Sequence, residues 1–306
     1  ATIAAGKRAA AIGADAVIYQ ELPALIEAVR ACNPAIARFD CSCFDGNYRA
    51  WARIIAANGV AVAMVDFRNS VVASSAGEVA PYPGGLNDCV SAVDWLAAEA
   101  DRLGVDAGRM IVAGESGGGN LTLGTGLRLL REGRAGLVTG LYALCPYILG
   151  AWPDERCPSS VEINGIFLDL HNNQGRMGYG IEAYEAGDPL AWPAFATEAD
   201  VQGLPSTMIS VNECDPLRDE GINFYRLLLS AGVPAQCRQV MGTVHGTEIF
   251  PMACPAISRE TASSIAARFF ATSWRRLPGR TASTGLLSDV SRASRAASGA
   301  SRSRSS

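Results

Sequence analysis

The chain has 306 residues, 49% hydrophobic and 18% charged, with 30 acidic residues against 26 basic and a net charge of −4. That is enough apolar material for one large domain or two small ones, and the charge balance leaves no nucleic-acid footprint over the whole chain. No apolar run reaches the ~18 residues of a membrane span, the N-terminus lacks a signal-peptide pattern, and nine cysteines without C-x-x-C spacing read as free thiols, so a cytoplasmic protein is expected.

Taken in order, short β-rich runs alternate with helical patterns, the signature of a mostly parallel sheet covered by helices. "GVAVAMVDF" (59–67) predicts a buried strand, and 86–104 a helix ending at Gly104. "RMIVAGE" (109–115) predicts the next strand, 120–133 a helix, and 135–147 another strand. The stretch from about 148 to 200 breaks the alternation. It is rich in Trp, Pro, Gly and Asn and predicts one helix around 176–186; such an insertion is expected to cap a site at the carboxyl ends of the strands. Strands follow at 206–215 and 235–245, with a helix at 219–232 between them and a last helix at 256–274. From about 279 the chain is Ser, Ala and Arg in low-complexity order. It cannot bury enough apolar surface to offset its ordering entropy, so a disordered tail is expected over 279–306.

The chemistry gathers at Gly114-Glu115-Ser116-Gly117-Gly118-Gly119-Asn120. A phosphate-binding P-loop would need Gly-Lys-Ser/Thr, and Lys7 is the only lysine in the chain. A dinucleotide loop would need a glycine where Thr122 stands. G-x-S-x-G between a strand and a helix fits a nucleophile instead: the flanking glycines permit a sharp turn that exposes the Ser116 hydroxyl, and the helix start adds backbone donors. A serine nucleophile needs a base and an orienting acid. His245 in "GTVHGTEIF" and Asp215 in "NECDPLRDEG" both follow predicted strands, and the order Ser116, Asp215, His245 is that of a known hydrolase architecture. Asp219 and Glu220 could rival Asp215, but they open a helix, where favourable dipole charge is the simpler role. Arg68 and Asp88 read as structural charges. His171 reads as a cap histidine. With only these two histidines, no metal site is expected.

Several stretches in order, "VDFRNS…PYPGGLNDCVSAVDWL", "GESGGGNL", "DPLRDEG…LLLSAGV" and "VHGTEIF", resemble bacterial esterases of the hormone-sensitive lipase family over about residues 46–278. The resemblance implies an α/β-hydrolase fold with helices on both faces and a cap insertion. It implies cofactor-free hydrolysis of short to medium acyl or lactone esters, with Ser116 as nucleophile, Asp215 as acid, His245 as base and the Gly117 N–H as one oxyanion donor. The expected partner is a small-molecule ester, with neither nucleic acid nor membrane; a homodimer is compatible with the sequence. The His-Gly-Gly-Gly loop with which that family completes its oxyanion hole is missing. "ARFDCSCFDGNYRAW" stands in its place, and removing even one such donor typically costs about 10²–10³ in kcat. Residues 12–48 are instead similar to the C-terminal segment of amidophosphoribosyltransferase. Residues 1–48 are therefore expected to be an atypical N-terminal segment replacing the first strands, followed by a hydrolase domain over 49–278 with its cap at about 148–200. An inactive hydrolase-like protein that binds small apolar ligands is the alternative, and a transferase fragment a third reading.

Overall fold

Residues 15–19, 46–71, 73, 77–171, 174–251 and 253–270 are described by a computed structural model. Six strands form one sheet: β1 (Asp15–Tyr19), β2 (Val60–Met64), β3 (Ile111–Glu115), β4 (Gly140–Leu144), β5 (Ser206–Cys214) and β6 (Ala235–Val244). Their order is β2-β1-β3-β4-β5-β6, and every neighbouring pair is parallel. A parallel sheet must be covered on both faces, so its strands read as apolar runs. β3 and β4 are buried at all five positions.

Alternation along each strand decides which helices it meets. Val112, Leu141, Ala143, Ile209 and Val211 pack with Leu86, Val93, Leu121, Leu127, Phe224 and Leu228. These apolar residues come from α2 (Gly84–Ala98), α3 (Gly117–Arg131) and α6 (Arg218–Ser230). Ile111, Ala113, Tyr142, Leu144 and Met208 meet Trp51, Ile55, Ala262 and Ile265 on the opposite face. Those belong to α1 (Gly46–Ala56) and α7 (Pro255–Phe270). The helix expected over 86–104 is two, Gly84–Ala98 and the short Ala100–Leu103, and the second ends at the expected Gly104, which takes the left-handed conformation at φ 69°.

The structure redraws several expected elements. α3 starts at Gly117 rather than residue 120, so the glycines form its first turn. A Cβ at Gly119 would lie 2.9 Å from the Pro146 Cα, and one at Gly114 only 2.2 Å from the Gly118 oxygen; both glycines permit strand and helix to close on one another. The strand expected over 135–147 is confined to β4 and preceded by a 3₁₀ turn, Ala135–Leu137. The single helix expected at 176–186 is two, α4 (Gln174–Tyr179) and α5 (Ile181–Glu185). The Tyr179 carbonyl accepts the Tyr82 N–H at 2.6 Å instead of continuing a helix. The expected segment 1–48 is represented by β1 and the start of α1, while the expected tail and residues 271–274 of the last helix lie outside the described residues.

The stretch from 148 to 200 holds an apolar cluster centred on Trp152, Trp192, Leu149 and Leu170, which Leu217, just before α6, joins. Its rings interlock. Tyr147 packs on Trp152 at 4.5 Å between centroids, and Tyr179 meets Trp192 edge to face at 5.3 Å.

Candidate active site

Ser116 sits between the end of β3 and the first residue of α3 with φ 57° and ψ −115°, a conformation costly for a residue with a Cβ. Backbone bonds hold it there. Its N–H donates to the Leu144 carbonyl at 2.9 Å, and its carbonyl accepts from Asn120 N–H at 3.0 Å and Tyr147 N–H at 3.1 Å. The strain turns the hydroxyl up and out of the sheet, the geometry that G-x-S-x-G requires.

β5 and β6 deliver the partners. Asp215, fully buried, immediately follows β5, and its Oδ1 accepts the Leu217 N–H at 2.9 Å. His245 immediately follows β6, ahead of Gly246 at φ 63°. Its Nδ1 stands 2.9 Å from Asp215 Oδ2, and its Nε2 stands 3.0 Å from Ser116 Oγ. In the neutral imidazole the carboxylate dictates the tautomer in which Nδ1–H donates to Asp215 and Nε2 accepts from the serine hydroxyl. The three residues chosen from sequence thus meet in one hydrogen-bonded line. The Gly117 N–H opens α3, where the first N–H groups have no acceptor within the helix, and a Cβ built at Gly117 would meet nothing within 4 Å.

A cavity of about 160 Å³ reaches Gly117, the residue after the serine, and is lined also by Leu121, Phe67, Tyr147, Tyr179 and Trp192. The aromatic cluster of residues 147–192 therefore supplies its wall.

Four further residues that the motif reading did not weigh lie on or behind the His245 side of the site. Glu115, 3% exposed, places Oε1 3.3 Å from His245 Nε2. Tyr48 donates to its other oxygen at 2.9 Å, and the Cys145 thiol lies 3.6 Å from Oε1. Glu248 is fully buried and accepts from Asn212 Nδ2 at 3.1 Å. Burial raises the Glu115 and Glu248 carboxyls above the ordinary range and the Cys145 thiol well above its own. Burial also pulls His245 down, but Asp215, then Glu115 and Glu248, outweigh it and push the imidazole up to about 9. The sequence signal for Glu115 was there: a carboxylate ending an otherwise apolar buried strand.

The remaining charged residues resolve individually. Arg68 and Asp88 form the expected structural pair, with Arg68 N–H, Nε and Nη2 all donating to the carboxylate. His171 sits in the 148–200 insertion with Nε2 2.8 Å from the Ser160 carbonyl. Glu220 departs from expectation. Rather than serving as exposed dipole charge, it is 2% exposed and gathers the N–H groups of Ile148 at 2.6 Å and Leu149 at 3.2 Å and the Trp152 indole at 2.8 Å. It fastens the root of the 148–200 insertion to the helix behind Asp215, and burial, opposed by those bonds, pushes it up to about 8.

An acid–histidine–serine line on a strained strand-to-helix turn, at the carboxyl edge of a parallel sheet, defines the alpha/beta hydrolase class. A profile of the alpha/beta hydrolase fold matches residues 43–249, and the chain belongs to that family. Esterase Est22, solved with p-nitrophenol, is similar at 65% identity, covering 84% of this chain and 72% of that one, with a TM-score of 0.76. Brefeldin A esterase, a bacterial homologue of human hormone sensitive lipase, is similar at 37% identity over 83% of this chain and 68% of that one, with a TM-score of 0.70. Carboxylesterase NlhH of Mycobacterium tuberculosis is 30% identical over 190 residues, 61% of this chain and 58% of that protein. The arylesterase of Saccharolobus solfataricus matches at 30% over 192 residues, with the same shares. The chain thus spans just under three fifths of the length of these curated relatives. Among the described residues no helix is long and apolar enough to cross a membrane.

Proposed function

We propose that the protein is a carboxylic-ester hydrolase of the hormone-sensitive lipase type acting through an acyl-serine. The observation that carries this is the unbroken line Asp215–His245–Ser116, with contacts of 2.9 and 3.0 Å, on a serine held at φ 57°. His245 Nε2 takes the hydroxyl proton as Ser116 Oγ attacks the ester carbonyl. Asp215 stabilises the imidazolium. The imidazolium then protonates the departing alcohol, and a water deprotonated by His245 releases the acid. The Gly117 N–H faces the developing oxyanion by its position after the nucleophile. A second donor has to come from elsewhere, since the family's His-Gly-Gly-Gly run is absent. β1 runs parallel to β3 with Tyr19 opposite Ala113, so the carboxyl end of β1 lies at the edge that carries Ser116. The aromatic wall and the modest cavity suit short to medium acyl groups. Hydrolysis of p-nitrophenyl acetate, butyrate and octanoate tests the assignment. Activity on the shorter esters that Ser116→Ala abolishes supports it, and no nitrophenol release from wild type overturns it.

The division into an atypical segment 1–48 and a hydrolase domain belongs to the same proposal, and the family match starting at residue 43 supports it. The resemblance of 12–48 to the C-terminal segment of amidophosphoribosyltransferase motivates the reading of a fusion or misassembly. Sequencing the source locus decides it: one continuous reading frame with full-length relatives would refute a foreign origin.

A further inference from the structure

The side of His245 facing away from Asp215 holds a soft and a hard donor together. Cys145 Sγ, a Glu115 carboxylate oxygen and a ring nitrogen of His245 all lie within 4.8 Å of one another, and all three residues are buried. A tetrahedral zinc ion has bonds of about 2.0–2.1 Å to nitrogen and oxygen and about 2.3 Å to thiolate, which sets its ligand atoms about 3.3–3.6 Å apart. The structure gives 3.3 Å from Glu115 Oε1 to His245 Nε2 and 3.6 Å from Cys145 Sγ to Glu115 Oε1. Ser116 Oγ lies 3.0 Å from the same Nε2.

Metal sites are recognised as much by the groups that orient the ligands as by the ligands themselves. Here two ligands already have them. Asp215 holds Nδ1 of the imidazole at 2.9 Å, the carboxylate–histidine arrangement that leaves Nε2 free to bind a metal. Tyr48 donates to Oε2 of Glu115 at 2.9 Å and leaves Oε1 aimed at the imidazole. Cys145 is itself constrained: φ is 33°, in the left-handed region for a residue with a Cβ, and its N–H is fixed to the Ser210 carbonyl at 2.7 Å.

We propose that Glu115, Cys145 and His245 form an inhibitory site for a divalent transition ion of the zinc class. Binding forms bonds from the metal to Glu115 Oε1, Cys145 Sγ and His245 Nε2, and the thiol releases its proton to solvent. No electron changes hands. The ion takes the lone pair with which Nε2 would accept the Ser116 proton, so general-base catalysis stops while the ion stays. Thiolate and imidazole favour zinc, cobalt or copper over magnesium and calcium, which prefer oxygen ligands.

Inhibition presupposes the esterase reading; binding does not, so the two are tested separately. Zn²⁺ is titrated against p-nitrophenyl acetate hydrolysis by wild type and by Cys145→Ala, which leaves the Asp215–His245–Ser116 line intact. The expected result is reversible inhibition of wild type, relieved by a chelator, with the half-inhibitory concentration raised at least about tenfold in Cys145→Ala and no inhibition by Mg²⁺. Equal sensitivity of the two proteins overturns the proposal. Independently of turnover, Co²⁺ is added to Ser116→Ala protein and to Ser116→Ala/Cys145→Ala protein. A thiolate-to-cobalt charge-transfer band present in the first and lost in the second supports the site. A band in both places the metal on other cysteines, and no band in either means that no thiolate site exists; each of those outcomes overturns it. Should Cys145→Ala fail to fold, Cys145→Ser with the same two readouts takes its place.

Discussion

The catalytic floor and the 148–200 insertion solve the same problem, holding side chains still, by different means. On the floor, single atoms decide. Ser116 is fixed by three backbone hydrogen bonds in a strained turn, and His245 stands between Asp215 and Ser116 at hydrogen-bond distance. In the insertion, rings decide: Tyr147, Trp152, Tyr179, Tyr184 and Trp192 stack in tilted and edge-to-face pairs around short helices. Hydrogen-bonded geometry fails abruptly when one atom is removed, whereas packed rings yield by degrees. The floor can therefore position chemistry, and the insertion can define a shape. Glu220 is where the two are joined.

The sharpest break in the comparison is Ser116→Ala. Removing one triad member should lower kcat by about 10⁴-fold or more while leaving thermal stability near wild type, because alanine keeps the Cβ and the three backbone hydrogen bonds that hold the turn. Steady-state kinetics with a melting curve checks both. Glu220→Gln tests the join. An amide cannot accept from all three N–H donors, so denaturant melts near pH 6 should show a loss of about 2–3 kcal/mol. The pH dependence carries a sign. Glu220 is pushed up to about 8 and His245 up to about 9, so the folded state holds both protons more tightly than the unfolded one. Stability therefore falls as pH rises from about 4.5 toward 9, and Glu220→Gln should flatten the part below about 8.

A smaller effect sharpens the account of the floor. The base must be neutral to accept a proton, so kcat/KM should climb with pH well beyond the ordinary histidine range, toward about 9. Glu115→Gln removes one of the carboxylates that hold His245 protonated and should shift that rise downward by about one pH unit. An unmoved profile would mean that Glu115 exerts no electrostatic hold on the imidazole. The smallest effect belongs to the insertion. Phe167 is 66% exposed at φ 67° and touches Phe250 edge to face. Phe167→Gly trades that contact for relief of backbone strain, so melts should move by less than about 1 kcal/mol and esterase rates should stay unchanged.

The same contrast explains what was legible in advance. Strands β2 to β6, the elbow and the places of Asp215 and His245 follow from apolar runs and turn glycines, signals local in sequence. The insertion is held by contacts between distant aromatic residues, which leave no period; its predicted single helix came out as two because Tyr82, far upstream, captures the Tyr179 carbonyl. Glu115 and Glu220 were visible as letters but not as roles. Both look like ordinary strand-end or helix-start acids until burial and the partners Tyr48, Cys145, Ile148 and Trp152 are known. The register of β1 likewise could not be read from a segment whose resemblance pointed to another family.

The place of β1 has a consequence for how the chain can be divided. Adjacent strands stand about 4.8 Å apart, so β2 and β3, with β1 between them, are about 10 Å apart, twice the reach of a ladder hydrogen bond pair. Cutting the chain ahead of α1 would not trim an appendage. It would open a slot in the middle of the sheet, strip β2 of its only paired neighbour among the described strands, and expose two facing rows of unsatisfied amides and carbonyls. Whatever the origin of the first 48 residues, Asp15–Tyr19 is built in as the rung between β2 and the strand that leads into Ser116.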